Sequence, residues 1–135
     1  MRLWHYELIK VLPNQMLVSQ WRECIAIKRQ WEKGTLKHRL VSYVMNYHKE
    51  YFYRFVYQVA EEMRNRKIKY QSKYYDEIQA FCESDEYCEE CPIYWEHNDR
   101  YLRQCYYNLQ EKVDRGIINT EEWEKIEQWK KLKNI

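Results

Sequence analysis

This chain has little of what breaks a helix. Of its 135 residues only 2 are glycine and 2 are proline. A small all-β domain needs many tight turns, and turns draw on those residues, so their scarcity argues for helices joined by short connections. No apolar run approaches the roughly 20 residues that a membrane-spanning helix requires, and no apolar stretch of the secretory type follows the N-terminus. A soluble, cytoplasmic protein without a membrane partner is therefore expected. Strand-like alternation of useful length is absent, and so is any internal repeat. Phenylalanine is scarce at 3 residues, yet 14 Tyr and 6 Trp raise the aromatic share to 17%. Tyrosine and tryptophan carry a polar tip on an apolar body, which suits half-buried surfaces and stacking on bases. The length fits one domain, residues 1–135, with enough chain for a real core.

Net charge is only +2, but it is unevenly placed. Residues 1–75 hold 15 Lys/Arg against 6 Asp/Glu, and residues 76–135 hold 8 against 15, so the first part is basic and the second acidic. A basic half is the electrostatic footprint of a nucleic-acid binder; equally, the two halves can pair with each other on folding.

Helical periodicity organises the chain. Leu3, Trp4, Leu8 and Ile9 can tuck the N-terminus against the body. Asn14 is placed to cap a helix running to about Trp31, with Leu17, Trp21 and Cys24 on one apolar face and Arg22 and Glu23 pointing away from it. Gly34 is its left-handed cap. Residues 35–47 suggest a second short helix with basic neighbours Lys37, His38 and Arg39. Tyr51, Phe52, Phe55, Val56, Val59 and Met63 set a longer one over about 48–67, and 71–82 suggests another. Residues 82–97 break the pattern as an acidic, Cys-rich insertion. Asn98 then caps a helix whose stripe is Leu102, Cys105, Tyr106, Leu109 and Val113, stopped by Gly116. Asn119 or Thr120 caps the last. The expected class is all-α, a compact single domain of about five helices.

Three stretches carry a resemblance. They are Met1-Arg2-Leu3-Trp4; Leu12 to Glu23 with Gln15, Leu17 and Trp21-Arg22-Glu23; and His97-Asn98-Asp99-Arg100-Tyr101-Leu102 through Asn108-Leu109-Gln110-Glu111-Lys112 to Arg115-Gly116. Together they resemble the pyrimidine dimer DNA glycosylase family. The resemblance implies a helical enzyme that removes a base from damaged double-stranded DNA by imine formation through its N-terminal amine, with abasic-site lyase activity as the following step. It implies Met1 as the source of the amine, Glu23 as the carboxylate that handles protons, and Arg2 and Arg22 as DNA contacts. An α-amine titrates near pH 8, about two units below lysine, so more of it is a free nucleophile near neutrality. A carboxylate beside it can stabilise positive charge developing on the sugar. The sequence departs from the family pattern at one point: the usual terminal residue is a threonine exposed by loss of the initiator Met. Here residue 2 is Arg, too large for normal Met removal, which leaves the amine on Met1 and the lyase step open. Lys37 and Arg39 are further phosphate-contact candidates.

Four cysteines, Cys82, Cys88, Cys91 and Cys105, contain a Cys-x2-Cys pair and could hold a structural zinc or an iron–sulfur cluster, with His97 as a substitute fourth ligand. Cys105 also lies on an apolar stripe, where a free thiol is ordinary core, and Cys24 reads as packing. No cofactor is required by the expected chemistry. The alternative to an enzyme is a non-catalytic DNA-binding or interaction module stapled by a Cys-bound metal.

Overall fold

A computed structural model describes residues 1–83 and 93–133. Among them are five α-helices and no strand: α1 (Asn14–Lys33), α2 (Lys49–Asn65), α3 (Ser72–Cys82), α4 (Asp99–Asp114) and α5 (Thr120–Lys133). Short 3-10 turns occupy Tyr6–Leu8 and Ser42–Asn46. The all-α expectation holds, and no helix among the described residues is long and apolar enough to cross a membrane. The centre of the Cys-rich stretch, including Cys88 and Cys91, lies outside the described residues.

α1 is amphipathic because Leu17, Gln20, Trp21, Cys24, Ile27 and Lys28 recur three or four residues apart and are all buried. It stops at Gly34, whose φ of +74° lets the Gly34 and Thr35 amides turn back to the carbonyls of Trp31 and Gln30. Asn14 is not the cap. Pro13 occupies that position, and the Asn14 side chain instead accepts a hydrogen bond from Arg66 Nη1 at 3.0 Å. The expected helix over 35–47 is reduced to the 3-10 turn Ser42–Asn46. His38 gives the local reason: its Nδ1 accepts from the Leu40 amide, and its carbonyl accepts from Val41 and Ser42, a turn that competes with helix.

Side-chain caps set the later helices. His48 opens α2 by accepting from the Glu50 amide, and Asn98 opens α4 by accepting from the Tyr101 amide. Asn119 and Glu122 exchange bonds of 2.8 and 3.0 Å as a reciprocal capping box for α5. Helices α1, α2 and α3 pack against one another, and α4 pairs with α5. Trp31 joins the first three, edge-on to Phe52 of α2 at 5.9 Å and to Phe81 of α3 at 5.3 Å.

The first twelve residues are the unusual part of the core. Leu3, Leu8 and Ile9 are fully buried although the segment holds only one short turn. Its carbonyls therefore need partners from elsewhere. Arg66 supplies several: its guanidinium donates to the carbonyls of Ile9, Lys10 and Leu12, while its Nε holds Glu62. Arg66 is thus a structural clamp at the end of α2. Replacing it by Met, similar in length and without donors, is expected to destabilise the protein by about 2–3 kcal/mol, because buried carbonyls lose charged partners. Urea denaturation of Arg66→Met beside Arg64→Met checks this, since Arg64 is exposed and its removal should cost much less.

Candidate active site

Gln20 is where the N-terminal segment and α1 meet. Its side chain is fully buried. Oε1 accepts from the Trp4 amide at 2.7 Å, and Nε2 donates to the Arg2 carbonyl at 2.9 Å and to Glu23 Oε2 at 3.1 Å. The orientation of the amide is fixed by chemistry, since a backbone N–H can only donate and a carbonyl can only accept. The Arg2 amide also favours the charged form of the Glu23 carboxylate. The Leu3 carbonyl accepts from Tyr101 Oη of α4 at 2.5 Å. Residues 2 to 4 are thus held at three backbone groups, two by Gln20 of α1 and one by Tyr101 of α4.

Glu23 is consequently not on a solvated face. It is half-buried, and with Met1, Arg2, Trp4, Met16, Ser19, Leu40, Asn108 and Lys112 it lines a cleft of about 390 Å³. Burial raises the Glu23 pKa above the ordinary carboxylate value. The positive N-terminus, the Arg2 amide and guanidinium, and His38 pull the other way without overcoming it. The Arg2 guanidinium sits 5.3 Å from the centre of the Trp4 ring, and its charge acts on Tyr101 and Cys105. The cleft therefore offers a terminal amine, a carboxylate of raised proton affinity and cations on two sides.

Of the residues singled out in the sequence, the structure brings Met1, Arg2 and Glu23 to one cleft. Arg22, Lys37 and Arg39 are exposed and outside it. Arg39 lines a neighbouring recess with Tyr43, Trp95, Arg100 and Tyr101, and Leu40 is shared between the two. Sequence reasoning missed Gln20, Asn108 and Lys112 as lining or supporting residues. Gln20 had a signal: a glutamine between Leu17, Trp21 and Cys24 on the apolar stripe is a buried polar group that must have partners.

Half of the four-cysteine expectation rests on Cys88 and Cys91, outside the described residues. The other two thiols are buried: Cys82 lies near Lys28 and Lys49, and Cys105 near Arg2, His5 and Tyr101. Burial pushes the Cys82 thiol up to about 12 and raises Cys105 as well, which disfavours the thiolate that a metal binds. Among the described residues no three His, Cys, Asp or Glu converge as a metal site. His97 has its Nε2 2.7 Å from Tyr43 Oη.

Beneath the cleft lies an aromatic cluster. The buried rings of His5 and His97 stack at 5.6 Å, and Tyr101 packs against His97 at 5.3 Å. Burial, aided by the charge of His5, lowers the His97 pKa to about 3; burial also lowers that of His5. Both rings fold in the neutral form, so below the unfolded value of about 6.5 the unfolded chain binds more protons than the native one. The stability due to neutral His97 is complete above that pH and is lost as the pH falls towards about 3. Unfolding free energy should drop by at most about 1.4 kcal/mol per pH unit for each ring. His97→Gln, which keeps a partner for Tyr43, should flatten that slope when urea midpoints are followed downward from neutral pH.

A family model described as pyrimidine dimer DNA glycosylase matches residues 1–76. The match includes Met1, Arg2, Gln20, Arg22 and Glu23, and ends before α4. No curated protein and no solved structure matches the chain.

Proposed function

Because the chain belongs to the pyrimidine dimer DNA glycosylase family, we propose that it removes a base from pyrimidine-dimer or similarly damaged duplex DNA, using the Met1 amine as nucleophile and Glu23 as the proton-handling carboxylate. The observation that carries this reading is the shared cleft of the N-terminus and Glu23, close enough for the charge of the amine to act on the carboxylate.

In the proposed reaction the amine nitrogen bonds to the sugar C1′ as the C1′–N bond to the base breaks. The departing base keeps the bonding electrons and takes up a proton. Opening of the sugar ring, with proton transfer to its oxygen, leaves a protonated imine between Met1 and C1′. Glu23 in its ionised form faces the positive charge that develops on the sugar, where a nearby carboxylate is worth most because water is partly excluded. A raised proton affinity also makes Glu23 a workable acid–base group nearer neutrality than a free glutamate. The imine is the precursor of strand cleavage at the abasic site, the second activity of this reading. Arg2 neutralises phosphate at the reacting nucleotide, and exposed Arg22, Lys37 and Arg39 contact phosphates farther along the backbone.

Borohydride reduction during incubation with duplex DNA bearing a pyrimidine dimer or an abasic site tests the chemistry. A covalent adduct mapping to Met1 by mass spectrometry is expected. An extra residue ahead of Met1 moves the amine by about 3.5 Å and should abolish it. Glu23→Gln should slow product formation by about 100-fold or more while leaving DNA affinity nearly unchanged. Absence of any adduct or base release, with DNA binding intact, would instead favour a non-catalytic DNA-binding module.

The phosphate assignments have a separate signature. Each of Arg22→Ala, Lys37→Ala and Arg39→Ala should weaken DNA binding by a similar factor on damaged and undamaged duplexes. Each should also reduce the salt dependence of the affinity by about one ion. A titration of fluorescent duplex at several salt concentrations reads both quantities.

A further inference from the structure

We infer that Gln20 is a positioning residue for this site: its buried amide sets where the N-terminal amine lies and presents the Glu23 carboxylate to it. The inference deepens the proposed function and rests on it for the reaction, but its geometry is independent of substrate.

All the hydrogen-bonding capacity that Gln20 directs inward is engaged. One oxygen takes the Trp4 amide, and the two protons of Nε2 go to the Arg2 carbonyl and to Glu23 Oε2. The bonds to residues 2 and 4 fix the segment against α1 at two points, and only one residue precedes the first of them. The amine is thereby left with the reach of a single residue. The bond to Glu23 fixes one carboxylate oxygen, Oε2, relative to the Arg2 carbonyl that the same amide holds. Gln20 and Glu23 are three apart on α1, so both side chains leave the helix on one face. A residue that ties nucleophile and carboxylate to one rigid helix gives the reacting pair its mutual position before substrate arrives.

Gln20 does not line the cleft, and its one link to the proposed reacting groups is its bond to Glu23 Oε2, so its effect must pass through its neighbours. That separates it from Glu23 experimentally. Gln20→Glu keeps the acceptor for Trp4 but replaces the donor by an oxygen facing the Arg2 carbonyl and Glu23. Gln20→Met removes donor and acceptor together. In either variant Glu23 loses a hydrogen bond that stabilises its charged form, and in the first it gains a carboxylate neighbour.

The test uses the full chain with carbon-13-labelled glutamate. The Glu23 carboxyl resonance, assigned by its disappearance in Glu23→Gln, is titrated in the wild type and both variants. Circular dichroism confirms folding, and adduct formation is measured in parallel. The Glu23 midpoint should move upward by about half a pH unit or more in the folded variants. The movement should be larger in Gln20→Glu, where the two carboxyl groups titrate as a pair. Adduct formation should fall by at least about tenfold with DNA affinity retained. Should Gln20→Met fail to fold, Gln20→Glu carries the test. A Glu23 midpoint unchanged in a folded variant would overturn the inference. Wild-type protein that forms no adduct, with the midpoint shift still present, would overturn the proposed function and leave the clamp standing.

Discussion

A largely buried stretch of backbone with little regular structure of its own must find many of its hydrogen bonds in side chains, and the first twelve residues of this protein, with one 3-10 turn, are such a stretch. An unpaired buried amide or carbonyl costs free energy of the same order as the bond it lacks. The partners come from across the molecule: Gln20 of α1, Gln58 and Arg66 of α2, and Tyr101 of α4. Each of these side chains is long, so each reaches the segment from a helix already fixed by its own packing. The segment is thus located by three helices, and in exchange its apolar residues Leu3, Leu8 and Ile9 complete the space between them.

The position of the candidate site follows from that constraint. With residues 2 and 4 bonded to Gln20, Met1 and Glu23 line the same cleft. The Gln20 amide nitrogen that satisfies the Arg2 carbonyl also reaches the Glu23 carboxylate. Its proton affinity is a balance between burial, which raises it, and the amine, the Arg2 amide and the Arg2 guanidinium, which lower it. Weakening the anchorage of residues 2 to 4 therefore changes the electrostatics of Glu23 without touching Glu23 itself. Structural and chemical roles are separated here by one bond rather than by distance.

Much of the architecture was legible in the sequence because it rests on local signals. Gly34 and Gly116 both take the positive φ that ends a helix, Asn98 caps α4, and the apolar stripes of α2 and α4 are buried as their spacing predicts. The helix expected over 35–47 failed because a periodic set of apolar residues does not show that a histidine among them will bend the backbone back on its own side chain. Asn14 failed as a cap because Arg66, far along the chain, claims its oxygen. Met1, Arg2 and Glu23 were found through resemblance rather than pattern. Arg66 and Arg64, two residues apart in the sequence, differ only in their three-dimensional surroundings. Long-range side-chain-to-backbone bonds leave no periodicity, so the residues that make them are the ones a linear reading misplaces.

The family match ends at residue 76, yet the cleft is closed by Asn108 and Lys112 of α4, and the Leu3 carbonyl is held by Tyr101 of the same helix. The contributions of the two parts differ in kind. Met1, Gln20 and Glu23, which carry the proposed chemistry, all lie within the first 23 residues and inside the family match. What α4 supplies to the segment is a hydroxyl at the right height and a second wall, and many sequences can provide those on a helix that packs in the same place. A hydrogen bond to a backbone carbonyl asks only for a donor, whatever residue owns the carbonyl. The proposed chemistry is therefore concentrated in a short N-terminal region, and α4 supports it through the Tyr101 hydroxyl and the wall of the cleft that Asn108 and Lys112 form.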